Sequence, residues 1–303
     1  MDIKKVMHHG VIRNKELGYK RADRNDVHGE KIAIQTRNAW IDALIYRKEL
    51  GHELPIIFEV HGGGFMYNTS YDDDELCHYI SEHARAIVIA CNYRTTPEYP
   101  YPTGLYDVYD TIKYVLLKKD ILIDREKIVI WGHSAGANLA AATVLLASEK
   151  KEFVIQKQIL DYPYLNISQL SKGRPKIFRS VPGFTMDTFA YYYVDNPQSN
   201  RSPYVSPVYA SKKQLEGVNE TYILLCGRDN LNIDGKEYQR ILEAADKPVV
   251  MKYYQDALHG FIENAYNYKY VSWNVRMNVG NKQRKMAVEA VDEIIKWVSA
   301  WGK

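Results

Sequence analysis

One stretch constrains the fold of this chain more than any other: Gly132-His133-Ser134-Ala135-Gly136, set between two apolar segments of different character. Before it, Lys127-Ile128-Val129-Ile130-Trp131 is apolar and β-branched, the composition of a buried strand. After it, the run from Ala137 to Ala147 is small and apolar, the composition of a buried helix. A strand that turns sharply into a helix through G-x-S-x-G puts its serine on a strained, exposed corner. The flanking glycines let strand and helix approach without Cβ clashes. The bare pentapeptide recurs by chance; its strand–turn–helix setting gives it force.

The rest of the chain repeats that alternation. Strand-like runs are expected at 31–36, 40–47, 55–60, 86–91, 127–131, 155–160, 221–226 and 249–253. Helical patterns fall at 74–84, 106–117, 135–148, 236–245 and 282–297. Strands separated by helices need crossover connections, so the expected fold is α/β, with a mostly parallel eight-stranded sheet covered on both faces. The closely spaced first strands predict an antiparallel edge. No repeat or composition break marks a second domain, and residues 1–303 read as one. Two stretches lie outside the alternation: the polar residues 1–29, and 165–215, far longer than one crossover needs. Such long connections in a compact domain are usually lids or binding segments. The centre of the second, Phe184 to Tyr193, is aromatic and predicts a helix over a site, with a packed surface insertion as the alternative.

Composition narrows the function classes. Lys and Arg number 40 against 37 Asp and Glu, for a net +3, so no global field points to nucleic acid or an acidic membrane surface. No apolar run is long enough to span a bilayer and the N-terminus lacks a signal-peptide core, which predicts a soluble, cytoplasmic chain. Cys77, Cys91 and Cys226 fit no metal spacing and are expected to be buried free thiols. The histidines show no H-x-x-x-H or H-E-x-x-H pattern, so neither metal nor cofactor is expected. The 25 tyrosines against 7 phenylalanines suit half-wet pocket walls or interfaces, though bias alone would also produce them.

In open α/β sheets, ligands bind beyond the carboxyl ends of the strands. After the third strand comes His61-Gly62-Gly63-Gly64-Phe65. Here the N–H groups of Gly63 and Gly64 can converge on an oxyanion, with that of Ala135 as a third donor. A glycine run alone could equally be a flexible turn or a phosphate cradle, and the missing G-K-[ST] argues against a nucleotide P-loop. After the seventh strand lies Asp229, and after the eighth His259. A serine, an acid and a histidine thus follow separate strands in the order Ser134, Asp229, His259, the order of an α/β-hydrolase triad. Asp234 competes with Asp229 for the acid role, and Asp256 is read as a loop acid.

These motifs together resemble the hormone-sensitive-lipase-like branch of the α/β-hydrolases, over roughly Pro55 to the C-terminus. His61–Phe65 is similar to the family's H-G-G-G-F/W loop, and Tyr93 to Pro102 to its Y-R-L-A-P-E-x-P-F-P segment. Gly132–Gly136 with Asn138-Leu139-Ala140 is similar to G-D-S-A-G-G-N-L-A, and Asp229-x-Leu231 with Gly235 to D-P-L-x-D-x-G. Four departures stand out: His133 for Asp, Ala137 for Gly, Asn230 for Pro and Ile233 for the second Asp.

The resemblance implies a serine carboxylic-ester hydrolase working through an acyl-enzyme. It also implies a cap over the site drawn from 1–29 and 165–215. Short- or medium-chain acyl esters of a small molecule are the expected substrates, with homodimerisation left open. Two alternatives use the same residues. An amidase of the arylformamidase kind or a peptidase would share the triad; a non-catalytic small-molecule receptor would be expected to have lost its histidine. Arg94 and Glu98 are expected to fix a loop through ion pairs, and His61 to shape its own.

Overall fold

The computed structural model describes residues 27–48, 51–267 and 280–301. The expected cap segment 1–29 lies almost wholly outside the described residues. Eight strands form one sheet: β1 Glu30–Gln35, β2 Trp40–Tyr46, β3 Leu54–Val60, β4 Ile87–Cys91, β5 Ile123–His133, β6 Lys157–Asp161, β7 Glu220–Arg228 and β8 Val249–Leu258. Their order is β1-β2-β4-β3-β5-β6-β7-β8. β2 runs antiparallel to both β1 and β4, whereas the pairs from β4 through β8 are parallel. The fold is the α/β-hydrolase fold expected from the sequence.

Helices α1 Asp74–Ala84, α2 Thr103–Leu117, α3 Ala135–Lys150, α4 Gly183–Tyr193, α5 Asn232–Ala244, α6 Phe261–Tyr266 and α7 Asn281–Ser299 carry the crossovers and the closing layers. Alternate residues of each central strand face opposite cores, as the two-residue pleat requires. Ile56, Phe58 and Ile130 pack with Leu105, Ile112 and Leu139 of α2 and α3. Ile57, Val129 and Trp131 pack instead with Leu76 and Ile80 of α1 and Val291 and Ile294 of α7. Each fully buried side chain of this kind contributes about 1.5–3 kcal/mol of transfer free energy.

Every residue of α3 from Ala135 to Ala147 is buried, which explains why its sequence is apolar all round. The helix ends where Lys151 enters the left-handed region and its N–H bonds Ala147 O at 2.8 Å.

Several boundaries differ from expectation, among them the start of α2 at Thr103 and the end of β8 at Leu258. β5 starts at Ile123, because polar Asp124–Glu126 lead into it at the sheet's rim. β6 starts at Lys157, two residues later than expected. Helix α5 starts at Asn232, four residues before the expected 236.

Between β6 and β7 the chain leaves the sheet for an excursion that contains α4, three 3-10 turns and a short turn of helix at Lys212–Leu215. The expected helix at Phe184–Tyr193 is α4. This excursion is tied down firmly: Asn138 of α3 donates its Nδ2 to the carbonyls of Tyr164 and Val205, each at 2.8 Å.

Candidate active site

The corner after β5 is as sharp as the sequence requires. Ser134 sits at φ 53° and ψ −112°, in the left-handed half of the map that a side-chain-bearing residue rarely occupies. The strain is held by neighbours: Ser134 N–H donates to Asp161 O at 2.9 Å, and Ser134 O accepts from Tyr164 N at 3.2 Å. Both flanking glycines are sterically obligatory. A Cβ on Gly132 would lie 2.4 Å from Gly136 O, and one on Gly136 would lie 2.0 Å from Val60 O.

The loops after β7 and β8 bring their side chains to this corner. Gly227 opens the way, since a Cβ there would meet Gln255 O at 2.0 Å, and the β7–β8 register shifts between Cys226 and Arg228. Asp229 follows at once. On the next loop, Gly260 at φ 72° turns the chain immediately after His259. The result is a continuous relay: His259 Nε2 lies 2.9 Å from Ser134 Oγ, and His259 Nδ1 lies 2.6 Å from Asp229 Oδ2. Asp229 is fully buried, and its Oδ1 accepts the Leu231 N–H at 3.1 Å and the Ser180 hydroxyl at 3.4 Å. Burial pulls the pKa of His259 down, but the adjacent Asp229 charge and hydrogen bond more than reverse this and leave it raised.

The competing acids stand elsewhere. Asp234 is buried under the excursion, paired with Arg174 at 2.6 Å and accepting the N–H groups of Leu165 and Asn166. Asp256 pairs with Lys282 and Arg228 at the surface. Neither Asp234 nor Asp256 has a contact with His259 among those described.

The glycine loop after β3 lies against the serine. A Cβ on Gly62 would be 3.6 Å from Ser134 Cβ. Gly63 and Gly64 adopt φ 109° and 64°, and Gly63 O accepts from Met66 N at 3.1 Å and Tyr67 N at 2.9 Å. The Y-R-x-x-P-E segment shapes this loop. Tyr93 Oη donates to His61 O at 3.0 Å, its ring stacks on His61 at 4.2 Å, and Thr96 N donates to Phe65 O at 2.8 Å. Arg94 makes a two-pronged pair with Asp107 at 2.7 and 2.8 Å, the loop-fixing role expected of it. Helix α4 lies over the loop. Tyr193 stacks on Phe65 at 3.7 Å, and the Phe189 ring would be 2.4 Å from a Cβ on Gly64.

The surroundings of His133, which departs from the family motif, were not anticipated. His133, one residue before the serine, is fully buried with its Nδ1 3.1 Å from Asp161 and its Nε2 3.8 Å from Glu59. Burial disfavours its charge, but Glu263, Asp161 and Glu59 overcome this and push its pKa up to about 10. Burial pushes the Glu59 carboxyl up to about 7, and that of Asp73 upward as well. Trp131 Nε1 donates to Asp161 at 2.6 Å, and Tyr162 bonds Glu263 while presenting its ring edge to His259 at 5.1 Å. The signal was present in Pro-Ile-Ile-Phe-Glu-Val: a carboxylate inside an apolar strand needs a buried partner. Ser180, which reaches Asp229 from the excursion, had no sequence signal.

Among the described residues no group of three or more His, Cys, Asp or Glu side chains is arranged to hold a metal ion. No described helix is long and apolar enough to cross a membrane.

The sequence pattern of the α/β-hydrolase fold family matches residues 57–263, and the chain belongs to that family. Within it, the chain falls in the hormone-sensitive-lipase-like branch. It is similar to an arylesterase from Saccharolobus solfataricus, 26% identical over 211 residues that cover 68% of each chain. It is similar also to an ethyl acetate hydrolase from Pseudomonas putida, 28% identical over 67% of this chain and 64% of that protein. A solved esterase from the archaeon Pyrobaculum calidifontis superposes with a TM-score of 0.78 at 27% identity, covering 99% of this chain and 93% of that one.

Proposed function

We propose that Ser134 attacks the carbonyl of short- to medium-chain acyl esters and passes through an acyl-enzyme. The chain is a serine carboxylic-ester hydrolase, and the proposal concerns its residues, its mechanism and its substrate range. The observation that carries the mechanism is the unbroken line of hydrogen bonds from Ser134 Oγ through His259 to Asp229.

Ser134 is a poor nucleophile while protonated. As its oxygen bonds to the carbonyl carbon, His259 Nε2 takes the proton. Asp229 holds the proton on Nδ1, which fixes the tautomer and stabilises the imidazolium. The carbonyl oxygen gains charge as the tetrahedral centre forms, and the N–H groups of Gly63, Gly64 and Ala135 are its donors in this reading. His259 then protonates the leaving alkoxide, the C–O bond breaks and the alcohol departs. In the second half, water gives a proton to His259 as it bonds the acyl carbon; the acyl–Oγ bond then breaks, His259 returns the proton to Ser134 Oγ, and the carboxylic acid leaves.

The segment 165–215 acts as the cap. Phe189 fills the space beside Gly64 and so narrows the room next to the oxyanion donors, which supports small acyl groups. The ethyl acetate activity named for one relative points the same way. Three buried free thiols support a cytoplasmic setting. Whether the chain forms a homodimer is measured by light scattering.

A panel of p-nitrophenyl esters of graded chain length, beside an anilide and a formamide, tests the reading. Turnover should peak at acetate to hexanoate and be far lower on the amides. Preference for the anilide or formamide would overturn it.

A further inference from the structure

The Asp229 carboxylate accepts from three directions, and one of them is the cap. Oδ2 faces His259, while Oδ1 takes the Leu231 N–H from its own loop and the hydroxyl of Ser180, 49 residues earlier in the chain. The direction of that hydroxyl proton follows from its other partner. Ser180 Oγ accepts the backbone N–H of Asn230 at 2.8 Å, and a carboxylate bonded to an imidazole N–H can only accept; the serine proton is therefore left to point at Asp229. A second tie reinforces the first, because Asn230 Nδ2 donates to Val181 O at 3.1 Å. Asn230 is buried and Asp229 fully so, while Ser180 itself is half-buried.

Both Asn230 bonds depend on the residue at that position. The D-P-L motif that this segment resembles carries proline there, which has neither a backbone N–H nor a side-chain amide. A proline would delete both ties and leave the Ser180 hydroxyl unoriented. The exchange to asparagine thus creates a junction between the cap segment and the acid loop.

We propose that Ser180 is a positioning residue for the acid of the triad: its hydroxyl, oriented by Asn230, holds the Asp229 carboxylate so that Oδ2 stays on His259 Nδ1. The proposal rests on the triad assignment above. At 3.4 Å the Ser180–Asp229 bond is longer than an ordinary hydroxyl–carboxylate bond, so a modest effect is expected. His259 is faced by Asp229, by Glu263 of α6 and by the ring of Tyr162 beyond β6. Of these, only Asp229 touches Ser180.

The experiment measures kcat and KM on p-nitrophenyl butyrate as a function of pH for Ser180→Ala, Ser180→Thr, Asp229→Asn and the Ser180→Ala/Asp229→Asn pair. Ser180→Ala should lower kcat about fivefold with KM nearly unchanged. Its acid limb should move to lower pH, because a loosened carboxylate supports the imidazolium less. Ser180→Thr keeps the hydroxyl and should restore both. In the Asp229→Asn background, Ser180→Ala should cost nothing further, since the two act as a unit.

Wild-type kcat and pH profile in Ser180→Ala overturn the proposal, as does an equal loss in both backgrounds. If Asp229→Asn is nearly dead while Ser180→Ala is silent, the triad stands and only this inference falls. If Asp229→Asn keeps full activity, the triad assignment falls and takes this inference with it.

Discussion

Although 125 residues separate them, Ser134 and His259 meet at 2.9 Å between Oγ and Nε2. Nothing local in either segment brings them together. The sheet does, by placing β5 and β8 parallel and ending both at the same rim. Ser134→Ala removes the nucleophile and fills no space, so the fold should be kept. Turnover of p-nitrophenyl acetate should fall by about 10⁵-fold or more, and an active-site fluorophosphonate label should no longer attach. Unchanged turnover would remove Ser134 from the mechanism.

The two acids separate cleanly by variant. Asp229→Asn keeps the shape but loses the charge that fixes the imidazole, and kcat should drop by about 10³- to 10⁴-fold with little change in melting temperature. Asp234→Asn leaves the buried Arg174 guanidinium without its counter-charge, a defect that typically costs about 3–5 kcal/mol. Urea unfolding should register that loss, while kcat per folded molecule stays within severalfold of wild type. The reverse pattern would exchange their roles.

Activity should fall in acid with a midpoint above the ordinary histidine value of 6.5, because Asp229 raises the pKa of His259. The base works only when neutral, so lowering the pH through that raised value protonates it and stops the first step. A kcat/KM profile with its acid limb below 6.5 would contradict the shift.

Stability should respond to pH through the buried group under the serine. His133 rises to about 10 and Glu59 to about 7, both above their unfolded values of 6.5 and 4.5. A raised folded pKa means that the native state holds the proton longer. The stabilisation is complete below the unfolded value and is lost as pH climbs through the folded one. Both groups act in the same direction, so the melting temperature should decline steadily from mildly acidic pH towards pH 10. His133→Leu, which leaves Glu59, Asp73 and Asp161 without that cation, should cost about 3–5 kcal/mol and remove the part of the decline above neutral pH.

The contact between Gly64 and Phe189 gives a steric test of the cap. In Gly64→Ala the new methyl would sit 2.4 Å from the ring at a φ of 64°, and kcat/KM should fall about 10²-fold or more as the oxyanion loop is displaced. Gly64→Ala/Phe189→Ala clears the ring and should recover most of the loss, leaving the small cost of the left-handed alanine. No recovery would mean that α4 does not press on this loop.

Much of this was legible before any coordinates. Apolar alternation and crossover length leave few arrangements, so all eight strands were found with shifted ends, and the helix Asp74–Ala84 to the residue. The loops bearing Ser134, Asp229 and His259 were readable because each follows a strand end. Boundaries were harder: α5 begins at polar Asn232, whose amide bonds Cys226 O at 2.6 Å, a side-chain contact back across the β7–α5 loop that helix propensity does not encode. The buried cluster around His133 was missed for a related reason. Glu59, Asp73 and Asp161 come from three separate segments, and only folding reveals that they share one imidazole. Ser180 reaches Asp229 from a segment whose path the sequence does not specify.

The excursion between β6 and β7 departs from one strand and returns to its immediate neighbour, so its length does not enter the ladder that holds the serine. Insertions there that spare Tyr164, Ser180 and α4 can reshape what is admitted while the reacting atoms stay in register.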